Sequence, residues 1–186
     1  MAEHHHHHEM PQKSKIEEAL GKYNLDITDE EVKEAVKKII AEKVPENDTP
    51  EVKRFMFGSI ELTTLTTQDS AESVLQLVEK VNKFANEYPQ MPHVATVVTY
   101  PRFTKLVSES LEVEGVIPTC VSGAFPSSQA LIEVKTVETG LAIRDGAENV
   151  DIVMHVGEFL SGDYETVCDE IQQQKETCGE VPMKDD

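Results

Sequence analysis

Basic residues are scarce in this sequence, and tryptophan is missing altogether. Against 35 Asp and Glu stand only 17 Lys and Arg, a formal net charge of −18. A nucleic-acid groove needs clustered Lys and Arg against the phosphates, so that class of partner is excluded. Enough basic residues remain to hold a small anionic ligand. Apolar runs are short: none approaches the length of a membrane span, and no signal peptide is visible, so no membrane partner is expected. Cys120, Cys168 and Cys178 form an odd set without metal-ligand spacing. They read as reduced thiols in a cytoplasmic protein, with Cys168 and Cys178 facing a helix interior. Histidine is concentrated in the start MAEHHHHH, read as a tag-like tail over 1–10. Outside it only His93 and His155 remain, too few for a metal site.

What is present fits a soluble globular chain, 39% apolar and 28% charged. A helical extension is predicted over 11–58. Its first helix is short, over 13–23. Thr28-Asp-Glu-Glu31 is a capping box followed by Val32, Val36, Ile39 and Ile40 on one stripe. That helix should end near Val44, ahead of Pro45, and a third should start at Pro50 and reach Phe57.

From Ser59 the rhythm changes, and 59–186 is expected to be one domain. Strands are predicted at Ser59–Thr63, His93–Tyr100 and Val116–Ser122. A fourth lies within Gly146–Glu165, where Val150, Ile152, Val153, Met154 and Val156 make a short apolar run. Helices alternate with them: one capped at Asp69 or Ser70, one over Phe103–Leu111, one over Gln129–Arg144 and one over Asp163–Thr177. Four strand–helix units indicate a parallel sheet with right-handed crossovers. Pattern alone fits a doubly wound sheet and part of a (β/α)8 barrel equally well. No G-x-G-x-x-G follows the first strand, which weakens a dinucleotide fold, and the polar first strand suits a barrel interior.

Asp151 is the leading candidate for chemistry. A carboxylate inside a buried strand costs several kcal/mol unless something compensates it. It is read either as a general acid/base or as a strand-start ion pair with a lysine or a backbone N–H. Alternation puts Val153 and His155 on its face. Glu61 repeats the pattern in the first strand beside Thr63 and Thr64, where a carboxylate and hydroxyls could bind substrate hydroxyls or cap the strand end. In the loop Gly123–Gln129, Ser127 and Ser128 could hold an anion at a helix N-terminus, but capping is the duller account.

Several strings then fall in one order. Ile60-Glu-Leu-Thr-Thr-Leu65, Val94–Phe103, Phe125-Pro126, Glu133–Thr139, Gly146–Val153 and Leu160–Glu165 together resemble the deoxyribose-phosphate aldolases over about residues 50–184. The resemblance implies the (β/α)8 barrel, here about its first four units behind the helical extension. It also implies a class I aldolase with no metal or organic cofactor. The reaction implied is reversible cleavage of 2-deoxyribose 5-phosphate to acetaldehyde and glyceraldehyde 3-phosphate. A lysine forms a Schiff base with the aldehyde, and an aspartate moves the proton between imine and enamine.

Asp151 matches that aspartate, while Glu61, Thr63 and Val98 match substrate-binding positions. Glu61 stands where the family usually has aspartate. The family's nucleophilic lysine lies in a sixth-strand motif beyond Asp186, so the chain is expected to be an N-terminal half, inactive alone. Lys184 corresponds to a lysine opening the fifth strand, but Asp185-Asp186 breaks the apolar run expected there. The alternative is a non-catalytic half-barrel that binds a partner or self-associates through uncovered edges, which also makes a homo-oligomer an expectation.

Overall fold

Helices lead and strands follow. The computed structural model describes residues 15–186, so the tag-like tail and the start of the first predicted helix lie outside the described residues. The chain divides after Asp48 into two units. In the first, α1 covers Lys15–Leu20 and α2 covers Asp29–Asn47. The capping box forms as expected: Glu31 N–H donates to Thr28 Oγ1 and Thr28 N–H to Glu31 Oε2, each at 3.2 Å. Contrary to expectation, α2 continues through Pro45. A proline this near the end removes one bond of the last turn, and Asp48 N–H still reaches the Val44 carbonyl at 2.9 Å. The apolar stripe of α2, from Val32 to Val44, is exposed.

The second unit begins with α3 (Pro50–Phe57) and alternates strand and helix thereafter. The order is β1 (Glu61–Thr63), α4 (Ala71–Glu87), β2 (Thr96–Thr99), α5 (Thr104–Ser110), β3 (Ile117–Val121) and α6 (Ile132–Arg144). After it come β4 (Asn149–Ile152), α7 (Val156–Ser161), α8 (Tyr164–Cys178) and β5 (Met183–Asp185). Ser70 opens α4 with its own capping box. The strands are parallel and lie in chain order, β1-β2-β3-β4-β5. A doubly wound sheet reverses its strand order at a switch point, and this one does not.

Three expectations need correction. A fifth strand forms where four units were expected, because Met183 and Lys184 pair with Val150 and Asp151 despite the following aspartates. The fourth strand stops at Ile152 instead of following the apolar run to Val156, where α7 begins. Cys168 is exposed, whereas Cys178 is buried as expected.

The outer face of the sheet is apolar. Val74, Val78 and Val81 of α4 and Val107 of α5 pack with Val97, and Cys120, Val150 and Ile152 pack with Ala142 and Cys178. Each fully buried valine contributes about 1.5–3 kcal/mol.

The inner face shows that the sheet curls. Lys184 Nζ lies 2.6 Å from Glu61 Oε1 and 2.7 Å from Oε2, although β1 and β5 are four strands apart. In a flat sheet those strands would be about 19 Å apart, out of reach for the two side chains. Register explains the contact. Following the hydrogen-bonded row from Lys184 through Asp151 and Val121, and continuing the β2–β3 and β1–β2 pairings, leads to Leu65, two residues past Thr63 and four past Glu61. An eight-stranded barrel with a shear of eight staggers by one residue per strand, which brings Lys184 back to the level of Glu61. By the same rule Glu61, Thr119 and Lys184 share one interior layer, with Val98 and Asp151 in the next and Thr63 and Val121 above. Alternate strands fill alternate layers, the signature of a (β/α)8 barrel.

Candidate functional site

The site forms where these layers meet the C-terminal ends of the strands. Asp151 is held by β4 between Val121 on β3 and Lys184 on β5 and is only 2% exposed. Its Oδ2 lies 3.5 Å from Lys184 Nζ, while Oδ1 is buried without a hydrogen-bond partner among the described residues. Burial pushes its carboxyl from the ordinary 3.8 up to about 6, and the charges of Asp186 and Glu61 push the same way against the pull of Lys184. One oxygen is therefore paired with Lys184 and the other has no hydrogen bond, in a carboxyl raised to about 6.

Lys184 is shared. Besides Glu61 and Asp151 it has Asp186 Oδ1 at 3.6 Å. Burial works against its charge but is outweighed by the hydrogen bond to Glu61 and by the charges of Asp151, Glu61 and Asp186, so its pKa is raised. A protonated amine held this way is a charge partner and a poor nucleophile. The end of β5 is fixed by Met154 N–H donating to Asp185 Oδ1 at 2.9 Å and Asp186 N–H to the Ile152 carbonyl at 2.8 Å.

The structure brings Glu61, Val98 and Asp151 to one concave end. Glu61 spends both oxygens on Lys184. Thr63 is exposed, its hydroxyl donating to the Glu61 carbonyl at 2.9 Å, and Val98 is buried. His155 does not share Asp151's face, because the strand has ended; its Nδ1 caps α7 by accepting from Glu158 N–H at 3.0 Å. Ser127 and Ser128 do not cap α6, which starts at Ile132 behind Leu131. Lys184 and Asp186 had been given no role from the sequence. Their segment, one apolar Met183 followed by three charged residues, is too short and too polar to read as a strand. No cluster able to hold a metal ion occurs among the described residues, and no described helix is long and apolar enough to cross a membrane.

The profile of DeoC/LacD family aldolases matches residues 56–185. This chain belongs to the DeoC/LacD aldolase family. A Caenorhabditis elegans protein provisionally named deoxyribose-phosphate aldolase is 31% identical over 163 residues, 86% of this chain and 52% of its own length. The Homo sapiens deoxyribose-phosphate aldolase is 30% identical over 135 residues, 67% of this chain and 42% of its own length. Among solved structures, one described as QR15, an aldolase, superposes with a TM-score of 0.59 at 25% identity. The superposition covers 68% of this chain and 52% of that one. This DeoC/LacD aldolase chain thus spans about half the length of the curated relatives it matches.

Proposed function

We propose that the concave end of this sheet is the proton-transfer half of an aldolase site. The reaction is the reversible cleavage of 2-deoxyribose 5-phosphate to acetaldehyde and glyceraldehyde 3-phosphate. Its partners are small phosphosugars and aldehydes, and no metal or organic cofactor takes part. The single observation behind this reading is Asp151: buried, anchored by one oxygen and pushed to about 6 at the reaction end of the strands. Names of the relatives support the substrate class.

In this mechanism a lysine amine outside the residues described here attacks the aldehyde carbonyl, and loss of water gives the imine. In the synthetic direction Asp151 takes the α-proton as the enamine forms, and the enamine carbon then bonds to the carbonyl carbon of the second aldehyde, whose oxygen takes up a proton; in cleavage that C–C bond breaks to leave the enamine, and Asp151 returns the proton to it. Lys184 keeps Asp151 partly ionised, and Glu61 holds Lys184 in place. Thr63 and Val98 line the approach, the first with a hydroxyl for the substrate and the second with apolar surface.

The protein expressed from its gene should cleave 2-deoxyribose 5-phosphate, with release of acetaldehyde followed by a coupled reduction. Asp151→Asn should lower kcat by about 10²-fold or more while the fold is kept. A wild-type protein without turnover would sink the reading. On the 186-residue chain, acetaldehyde followed by borohydride should label no lysine stoichiometrically; labelling of Lys184 would make it a nucleophile instead of a charge partner.

A further inference from the structure

A second lysine is buried far more deeply than Lys184. Lys135 on α6 is 0% exposed, and its Nζ donates to Ser128 Oγ and to Glu170 Oε1 of α8, each at 2.7 Å. One turn along α6, Glu138 Oε1 accepts from Ala124 N–H at 3.1 Å and from Ser122 Oγ–H at 3.4 Å. Both helical residues therefore grip the same segment, the loop 122–131 between β3 and α6. That loop needs gripping. Gly123, Ala124 and Ser128 all have positive φ, of 71°, 59° and 59°. Two of them are not glycine, and such residues stay in the left-handed region only when their surroundings hold them there. Gln174, one turn beyond Glu170 on α8 and 1% exposed, packs so closely on Gly123 that a Cβ there would run into its Oε1. The base of the loop joins the reaction end directly, since Ser122 N–H donates to the Asp151 carbonyl at 2.9 Å.

We propose that the buried Lys135–Glu170 pair, acting through Ser128 and seconded by Glu138, positions the β3–α6 loop over the Asp151 end of the sheet. Lys135 is thus a positioning residue, and the inference rests on the reading of that end as the reaction end. A buried ion pair is a poor way to gain stability, because apolar replacements of similar volume often do as well. Its specific effect here is to fix a strained loop. A loop held there would keep water from one side of Asp151, which is 2% exposed.

The test uses Ser128→Ala, which removes one hydroxyl, and Lys135→Met, which keeps the volume. Amide hydrogen exchange reads Ala124, whose N–H donates to Glu138 of α6, and Ser128, whose N–H donates to the Ala124 carbonyl within the loop, and a carbon-detected titration reads the Asp151 carboxyl. The expected result is exchange at least about 10-fold faster at both amides, with the Asp151 midpoint falling toward the ordinary carboxylate range. Unchanged exchange in folded Ser128→Ala overturns the proposal. So does faster exchange with an unmoved Asp151, since the pair would then be only structural. Should Lys135→Met fail to fold, Ser128→Ala decides alone. Neither readout depends on aldol turnover, so failure of the aldolase reading would show separately, as absent cleavage beside intact loop effects.

Discussion

Two lysines in this domain meet carboxylates in opposite ways. Lys135 is fully buried between helices and matched one to one with Glu170. Lys184 is 43% exposed by side chain and shared among Glu61, Asp151 and Asp186. The first site is balanced in charge. The second has more carboxylates than cations, and the most buried of them, Asp151, is driven up to about 6. Balance gives rigidity; imbalance gives a group that titrates where reactions run. The depth of a buried charge therefore says less about chemistry than the ratio of charges around it.

The sharpest way to break this comparison is to unbalance the balanced site. Glu170→Ala strands a fully buried ammonium and is expected to cost about 3–5 kcal/mol, read by urea unfolding. Replacing the whole pair, Lys135→Met together with Glu170→Leu, should instead stay within about 1 kcal/mol of wild type. Equal losses in both variants would show that the pair contributes stability as a pair, against the argument made for it.

The converse holds at the unbalanced site, where removing a charge should stabilise. A carboxyl raised from 3.8 to about 6 takes up protons in the native state that the unfolded chain has released. Stability therefore falls as pH rises from about 4 to 6 and levels off above that window. The penalty at neutral pH is on the order of 3 kcal/mol. Asp151→Asn should recover much of it at pH 7 and flatten the profile between pH 4 and 6, while turnover is lost. Thermal unfolding across that range checks both parts.

Lys184→Met should do the opposite to the same carboxylate. With its cation gone, burial and the charges of Asp186 and Glu61 act unopposed, and the Asp151 midpoint should move above 6. Because Lys184 is partly solvated, the stability loss should be only about 1–2 kcal/mol. A midpoint that stays put would mean that Lys184 has no hold on Asp151.

The same contrast explains how much of the molecule was legible in the sequence. The capping box at Thr28, the cap at Ser70 and the strand–helix alternation are local patterns, and they formed where they were expected. Asp151 stood out because a lone charge in an apolar run is itself a local signal. The meeting of Glu61 with Lys184 is not local at all. It follows from barrel stagger summed over four strands, to which no single segment testifies. The elements α7 and β5, of six and three residues, are too short to show a period. In α6 hydropathy points the wrong way: Lys135, Thr139 and Ala142 are buried, while Val134, Val137 and Leu141 are exposed. A lysine that faces inward because a glutamate from another helix awaits it cannot be found by counting apolar positions.

The smallest effect tests whether Glu61 and Asp151 compete for one amine. Glu61→Asp shortens the side chain by a methylene, so the two contacts at 2.6 and 2.7 Å cannot both survive. Glu61 and Lys184 are 39% and 43% exposed by side chain, and water replaces much of what is lost. The stability change should be under about 1 kcal/mol. The chemical change should be larger than the energetic one. Released from its bidentate hold, Lys184 can turn toward Asp151 Oδ2, now 3.5 Å away, and a closer cation favours the ionised carboxylate. The Asp151 midpoint should then fall below about 6 and bring the pH dependence of turnover down with it. A midpoint that rises would show instead that Glu61 steadies Lys184 for Asp151 rather than drawing it away.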